Sequence, residues 1–325
     1  MIKVRTGDLD LLIILIVIGF LFLFPKLAPQ YLIVLSTSLF VYCVIAKSWA
    51  VFSGPTGYVS LAPAVFFGIG VYISALFSFK LSLPILVSLA GIISFILALP
   101  MGLLTLRLKG IYFTIFTFSL IEFFRHFILW SESTFFKTRG RIVAIVDYRM
   151  VYYTMLVIFA LLLIFSFLLR KSRYQLALKA IGENEDAAAH CGVDLTLTKV
   201  IIFALSSIFI GASGAVMAMR WTYIDPYIAF NPNYSFIPVL MALIGGTQNF
   251  YGPVLGAVIL GLLEEKLITA IPHYSLAALG VILIFTVMYL PNGLMPFLSN
   301  ILNKFMQKLS GKIQNDLRLN KKLKV

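Results

Sequence analysis

The chain has 325 residues, 61% of them hydrophobic and 12% charged, with a formal net charge of +13 and a mean hydropathy of +0.99. Soluble domains carry about 45–50% apolar and about 25% charged residues, so this composition cannot cover a water-facing surface and excludes a soluble enzyme or binding domain. The basic excess fits membrane topology better than nucleic-acid binding, because Lys and Arg collect in the loops of one side.

Apolar runs lie near residues 9–24, 31–46, 58–79, 84–106, 111–130, 150–169, 199–219, 235–246, 252–263 and 273–290. A spanning helix needs roughly 17–25 residues; most runs qualify, while 235–246 and 252–263 are too short to cross alone. The pattern predicts an all-α, polytopic transmembrane helix bundle of about 8–10 membrane segments, with interrupted or re-entrant helices. Residues 1–30 read as an N-terminal transmembrane helix, 31–298 as a single membrane domain with a polar loop at 170–199, and 299–325 as a basic tail. The first run continues to Pro25 without a small-residue cleavage site, which predicts a retained helix rather than a signal peptide. No polar block is long enough for a fused ATPase, kinase or binding domain.

Two breaks interrupt this pattern: SGPTG at 53–57, inside the apolar stretch 31–79, and GGTQNFYG at 245–252. Irregular backbone at membrane depth is tolerated only where protein buries it or where it lines a watery cavity. Paired interruptions in the two halves of a transporter point to its pathway. The candidate pathway residues are therefore Gly57, Tyr58, Ser60, Phe67, Gly68, Gly245 and Gly246, joined by Glu122 on the run 111–130. The alternative is that both breaks are tight turns at the membrane surface. A faint likeness between SGPTGYVSLAPAVFFGIG and IGGTQNFYGPVLGAVILG hints at an internal repeat.

Ionisable residues in apolar runs need partners. Glu122 and Arg125 stand i, i+3 and are expected to pair; contact with a solute's ammonium or carboxylate is the functional alternative. Lys47, near a span end, is expected to snorkel. Glu264, Glu265 and Lys266 read as a solvated cluster closing a short run, and Asp225 as the start of an Asp-Pro turn. Trp221, Tyr223 and Tyr227 suit an interfacial aromatic belt or a surface for an external partner. Asn233-Tyr234-Ser235 matches a glycosylation sequon. His126, His190 and His273 form no metal or catalytic pattern, and Cys43 and Cys191 are far apart. No cofactor, metal or catalytic group is expected.

The polar stretch 174–199, YQLALKAIGENEDAAAHCGVDLTLTK, lies between two long apolar runs. Its Ala and Leu content favours helix. Glu183, Glu185 and Asp186 come early and His190 late, as the dipole of a short helix starting near Gly182 or Glu183 and ending before Gly192 requires. The small Ala face suits a groove in another protein, with the acids free to meet basic groups there; a solvated connector is the alternative.

Taking 170–199 as cytosolic and counting crossings puts the N-terminus, 107–110 and the C-terminal tail on the same side. That side holds sixteen Lys and Arg against eight opposite, with Lys47 and Arg125 inside runs, which predicts both termini in the cytosol. The basic loop 131–149 falls outside, as long loops do regardless of charge. The same parity requires 235–263 to leave and return on one side, as two short spans or a re-entrant hairpin.

The segment LALKAIGENEDAAAHCGVDLTLTKVIIFALSSIFIGASGAVMA resembles the cytosolic loop and following helix of permease subunits of branched-chain amino acid ABC transporters, keeping Ala180, Ile181, Asn184, Glu185, Ala187, Ala188, Gly192, Val193, Asp194 and Lys199. Further likeness runs through GYVSLAPAVFFGIGVY, RLKGIYFTIFTFSLIEFFRH, LIGGTQNFYGPVLGAVI and YLPNGL, covering roughly residues 30–295. The resemblance implies an importer half that pairs with a second, similar permease subunit, two cytosolic ATP-binding subunits and an external solute-binding protein, in a lipid bilayer and without nucleic acid. It implies that Glu183, Asn184, Glu185, Ala187, Ala188, Gly192 and Asp194 couple to the ATPase, with Glu185, Ala187 and Ala188 foremost. ATP hydrolysis would occur in the partner, since no G-x-x-x-x-G-K-[ST] loop is present.

Two departures matter. Gly182 stands where the family commonly has Arg, and Gly57-Tyr58-Val59-Ser60-Leu61-Ala62-Pro63 replaces the usual G-Q-x-S-x-G-H. If the latter stretch lines the pathway, a solute other than leucine, isoleucine or valine is expected. Two alternatives stay open: a permease of the same superfamily for urea, an amide or a sugar, and an ATPase-independent secondary transporter or channel.

Overall fold

In hydrocarbon every backbone amide must be satisfied within the protein, which leaves so apolar a chain little but helix. The computed structural model describes residues 6–137 and 139–274, with isolated positions between 277 and 295. Its helices are α1 (Thr6–Leu27), α2 (Gln30–Thr56), α3 (Pro63–Phe77), α4 (Leu83–Thr105), α5 (Ile111–Ser131), α6 (Tyr148–Arg170), α7 (Arg173–Glu183), α8 (Glu185–His190), α9 (Leu195–Ala218), α10 (Pro226–Ala229), α11 (Asn233–Gly245) and α12 (Gly252–Ala270). Among the described residues, six helices are long and apolar enough to cross a membrane, α10 and α11 counting together as one. With α1, the segment of α3 and α12, the bundle has the polytopic, all-α character the apolar runs predict. The last expected span, 273–290, is described only at isolated positions, and the tail 299–325 lies outside the described residues.

The bundle is built around α9, the most buried of the spans. Its run GASGA brings α3 and α4 to backbone contact: a Cβ on Gly214 would strike the Phe67 carbonyl, and one on Gly70 the Gly211 carbonyl. Membrane helices gain little from apolar burial against each other, so close packing through small residues is what holds such a trio.

The two ends of the bundle separate cleanly. At one end the C-terminus of α2, the α4–α5 loop and the α7–α8 region meet around a shared cleft. At the other, β1 (Arg141–Ile142) pairs antiparallel with β2 (Tyr223–Ile224), and Ala144 N donates to Ser78 Oγ at 3.3 Å. This grouping of loops matches the crossing parity read from the sequence. The hairpin α11–α12 likewise departs from the β2 end, turns at 246–251 beside Gly54 and Lys47, and returns with Glu265 near Tyr31 at the start of α2.

Several sequence expectations are corrected. Residues 53–56 of SGPTG are helical, and α2 ends only at Gly57 (φ 72°); the irregular stretch is 57–62. The helix α12 does not stop at residue 263 but carries Glu264, Glu265 and Lys266 within it, where Tyr42 Oη donates to Glu264 Oε1 at 3.2 Å and Tyr31 Oη to Glu265 Oε1 at 3.4 Å. Lys47 does not snorkel: it is buried, donates to the Phe250 carbonyl at 2.6 Å and lies 4.0 Å from the centre of the Phe250 ring. Both breaks lead into a helix with Pro in its first turn (Pro63, Pro253).

Candidate functional site

The irregular stretch 57–62 is clothed by side chains from three helices. Trp49 Nε1 of α2 donates to the Ser60 carbonyl at 2.8 Å. Thr114 Oγ1 of α5 donates to the Val59 carbonyl at 2.8 Å, and Thr117 Oγ1 accepts from Leu61 N at 3.0 Å. Ser235 Oγ of α11 accepts from Ala64 N and donates to the Leu61 carbonyl, both at 2.8 Å. Buried non-helical backbone survives in a membrane protein only with such partners.

The polar region is two short helices hinged at Asn184. The side chain of Asn184 accepts from Ala187 N at 3.0 Å and so caps α8, while its own N–H closes α7 on the Ala180 carbonyl. Gly192 (φ 82°) ends α8, with Val193 N donating back to the Ala188 carbonyl at 3.1 Å, the left-handed exit glycine favours. Asp194 then caps α9 by accepting from Leu197 N at 2.9 Å. The expected short helix, starting near Gly182 or Glu183 and ending before Gly192, is thus present, with its start at Glu185. Leu178 and Ile181 of α7 are buried, pinning the region to the bundle. Gly182 lies flat against α2, where any Cβ would collide with the Pro55 carbonyl, so an arginine there would need α7 to sit elsewhere.

Glu185 joins these parts. Tyr58 Oη donates to Glu185 Oε1 at 2.6 Å, Lys199 Nζ donates to the same oxygen at 2.9 Å, and Lys109 Nζ lies 3.0 Å from Oε2. One carboxylate therefore ties α8 to the irregular stretch, to the first turns of α9 and to the α4–α5 loop. Burial pushes its pKa up, but the hydrogen bonds from Tyr58, Lys199 and Lys109 outweigh burial and hold it at about 2. Glu185 is not free to meet an outside cation, as its position in an acidic run suggests; it is an internal clamp. Ala188 is likewise turned inward at 3% exposure, while Glu183, Asp186, Ala187, Ala189 and His190 face outward. The cleft beside the clamp, about 560 Å³, is lined by residues of 56–59, 109–114 and 181–186.

The other pathway candidates do not gather at one cavity. Tyr58 belongs to the clamp, and Gly57 is exposed at the end of α2. Ser60 and Phe67 are buried, Phe67 stacking on Tyr234 at 4.1 Å, and Gly68 abuts the Phe230 ring. Gly245 and Gly246 form the tight α11–α12 contact. Glu122 pairs with Arg125 at 2.8 Å, as i, i+3 spacing predicts, and Arg125 also donates to the Phe230 carbonyl at 2.8 Å. Asp225 accepts from Ile228 N at 2.7 Å and caps α10. Sequence reasoning passed over Lys109 and gave Lys199 no role. The signal for Lys199 was present: an ammonium one turn into an apolar span requires a counter-charge, and Glu185 is the acid that supplies it.

The model of the family described as branched-chain amino acid transport system / permease component matches residues 31–289. The chain belongs to this family. The permease is 24% identical over 308 residues to the high-affinity branched-chain amino acid transport system permease protein LivM of Salmonella typhimurium, a match covering 84% of this chain and 72% of that protein. It is 31% identical over 130 residues to the xylose transport system permease protein XylH of Haemophilus influenzae, and 33% identical over 138 residues to the L-arabinose transport system permease protein AraH of Escherichia coli. These two matches take in 39% and 40% of this chain but only 35% and 42% of the relatives' own lengths. No solved structure matches it. Family and helices together make the permease a multi-pass membrane protein of an ABC-type transport family.

Proposed function

We propose that the permease is the membrane-spanning subunit of an ATP-driven importer for branched-chain or related hydrophobic amino acids, delivered by an external solute-binding protein. The observation that carries this reading is the Glu185 clamp, which mechanically joins an outward-facing short helix to the broken segment, to α9 and to the α4–α5 loop. An ATPase subunit seated on Glu183, Asp186, Ala187 and Ala189 would move α8 and, through Glu185, the stretch 57–62. Hydrolysis belongs to that ATPase. The α7–α8 end is cytosolic in this reading, as are both termini, in line with the charge bias. A second permease subunit covers α5, the least buried span, whose Tyr112, Ile115 and Phe123 face outward. The solute passes along that seam, with the Glu122–Arg125 pair and the elements carrying Gly57, Ser60, Phe67, Gly68, Gly245 and Gly246 shaping its wall from behind.

The amino-acid reading is favoured by the LivM match, which spans most of the chain. A sugar reading draws support from the higher local identity to XylH and AraH over about two fifths of it. The experiment is uptake into proteoliposomes holding the permease, its partner subunits and the cognate binding protein. ATP-dependent accumulation of leucine, isoleucine or valine is expected. Accumulation of xylose or arabinose instead would overturn the amino-acid reading, and transport without the ATPase would overturn the coupling reading.

A further inference from the structure

A cavity of about 270 Å³ opens at the α7 end of the bundle, separate from the cleft beside Glu185, between α2, α6, α7 and the turn 246–251. Its lining includes Lys47, Arg170 and Lys179 against a single carboxylate, Glu183. Arg170 and Lys179 stand exposed at the mouth, whereas Lys47 is 5% exposed at the floor. Lys47 lies nine residues before the end of α2, about 14 Å along the helix axis. Among the described residues its partners are the Phe250 carbonyl and the Phe250 ring, neither of which carries a full negative charge. The guanidinium of Arg170 lies 5.9 Å from the same ring, so two like charges flank one aromatic side chain.

A second, independent feature borders the same space. Ser166 of α6 lines the cavity, is 6% exposed, and its buried Oγ has no hydrogen-bond partner among the described residues. An ammonium with no carboxylate and a hydroxyl with no partner, both little exposed, are groups that an anion with several acceptor oxygens would satisfy together. Phosphate supplies such oxygens, and basic pockets between membrane helices on the cytoplasmic side are where anionic lipid head groups lodge.

We infer that this cavity binds a phosphate-bearing anion, with Lys47 and Ser166 holding its oxygens at the floor and Arg170 and Lys179 closing over it at the mouth. Occupancy would lock α6 and α7 to the turn 246–251, fixing the platform from which α8 extends. The group could be the head of an inner-leaflet phospholipid or free phosphate, and the experiment separates the two.

The full-length permease is purified in a neutral detergent with phosphatidylglycerol and phosphatidylcholine in equal amounts, and retained lipid is counted by native mass spectrometry. In parallel, inorganic phosphate is added to lipid-free micelles and thermal unfolding is followed. Preferential retention of phosphatidylglycerol identifies a lipid head group. A rise in unfolding temperature with phosphate, without lipid retention, identifies free phosphate. Lys47→Met should weaken either effect at least about tenfold. The double variant R170Q/K179Q alters exposed side chains only and should weaken it similarly, so a folding failure of the first variant leaves the test intact. Equal retention of both lipids with no phosphate effect overturns the inference, as does unchanged binding in the double variant.

Discussion

Glu185 shows how one side chain's meaning depends on what faces it. Its folded pKa, about 2, lies below the ordinary carboxylate value because Tyr58, Lys199 and Lys109 outweigh burial. A depressed acid stabilises the fold fully above its unfolded pKa and loses that contribution as pH falls through the folded value. The clamp should therefore be indifferent to pH between 5 and 8 and open only between about 4.5 and about 2. Hydrogen exchange across 185–190 should report this as protection that is flat near neutrality and falls in strong acid. Loss of protection already at pH 6 would contradict it. Glu185→Gln keeps the shape but removes the charge-assisted bonds, each worth roughly 1.5–3 kcal/mol. Membrane insertion should persist while ATP-driven uptake falls roughly tenfold or more, and Tyr58→Phe should give a smaller fall. At Gly182 the obstacle is the first carbon of any side chain, which meets the Pro55 carbonyl. Gly182→Ala and Gly182→Arg should thus cost similar stability, about 1–3 kcal/mol as overpacking does, read by thermal unfolding; an arginine variant much worse than alanine would locate the problem in its charge.

At the scale of elements, the interrupted segment 57–77 stands or falls with its hydrogen-bond partners. Thr117 is fully buried and serves Leu61 N, so Thr117→Val leaves a buried N–H without an acceptor at about 1–3 kcal/mol. Thr114 serves Val59 from a more exposed position, where water can substitute; Thr114→Val should cost clearly less in the same unfolding assay. Equal costs would mean that water reaches Leu61. The existence of this break was legible from the crowding of glycines between 54 and 70. Its boundaries were not. Pro55 and Gly54 signal a break before residue 57, yet α2 runs on to Thr56 because packing against α9, α7 and α11 outweighs local propensity. For the same reason α12 continues through Glu264 and Glu265, whose partners lie on α2, more than 200 residues earlier in the chain.

For the whole molecule, sidedness is the open quantity that a simple measurement fixes. Cys191 is free and exposed at the end of α8, whereas Cys43 is buried, so Cys191 is a natural reporter of where the α7–α8 end lies. A membrane-impermeant maleimide should label it in inside-out vesicles and not in intact cells, and bound ATPase should protect it. Labelling of intact cells would reverse the orientation and with it the coupling reading.

The sequence by itself determined that this chain lives in a bilayer, that it is helical and which stretch stays polar. Those follow from composition and from run length against hydrocarbon thickness, quantities carried by each segment alone. It also carried the likeness by which the family model matches residues 31–289. Only the tertiary structure decided that Glu185 and Ala188 turn inward, that Lys47 is buried rather than snorkelling, and that Tyr58 belongs with the α8 helix. Each of these depends on which distant residue arrives opposite, and charge pairing and close packing between helices are set by the fold, not by neighbours in the chain.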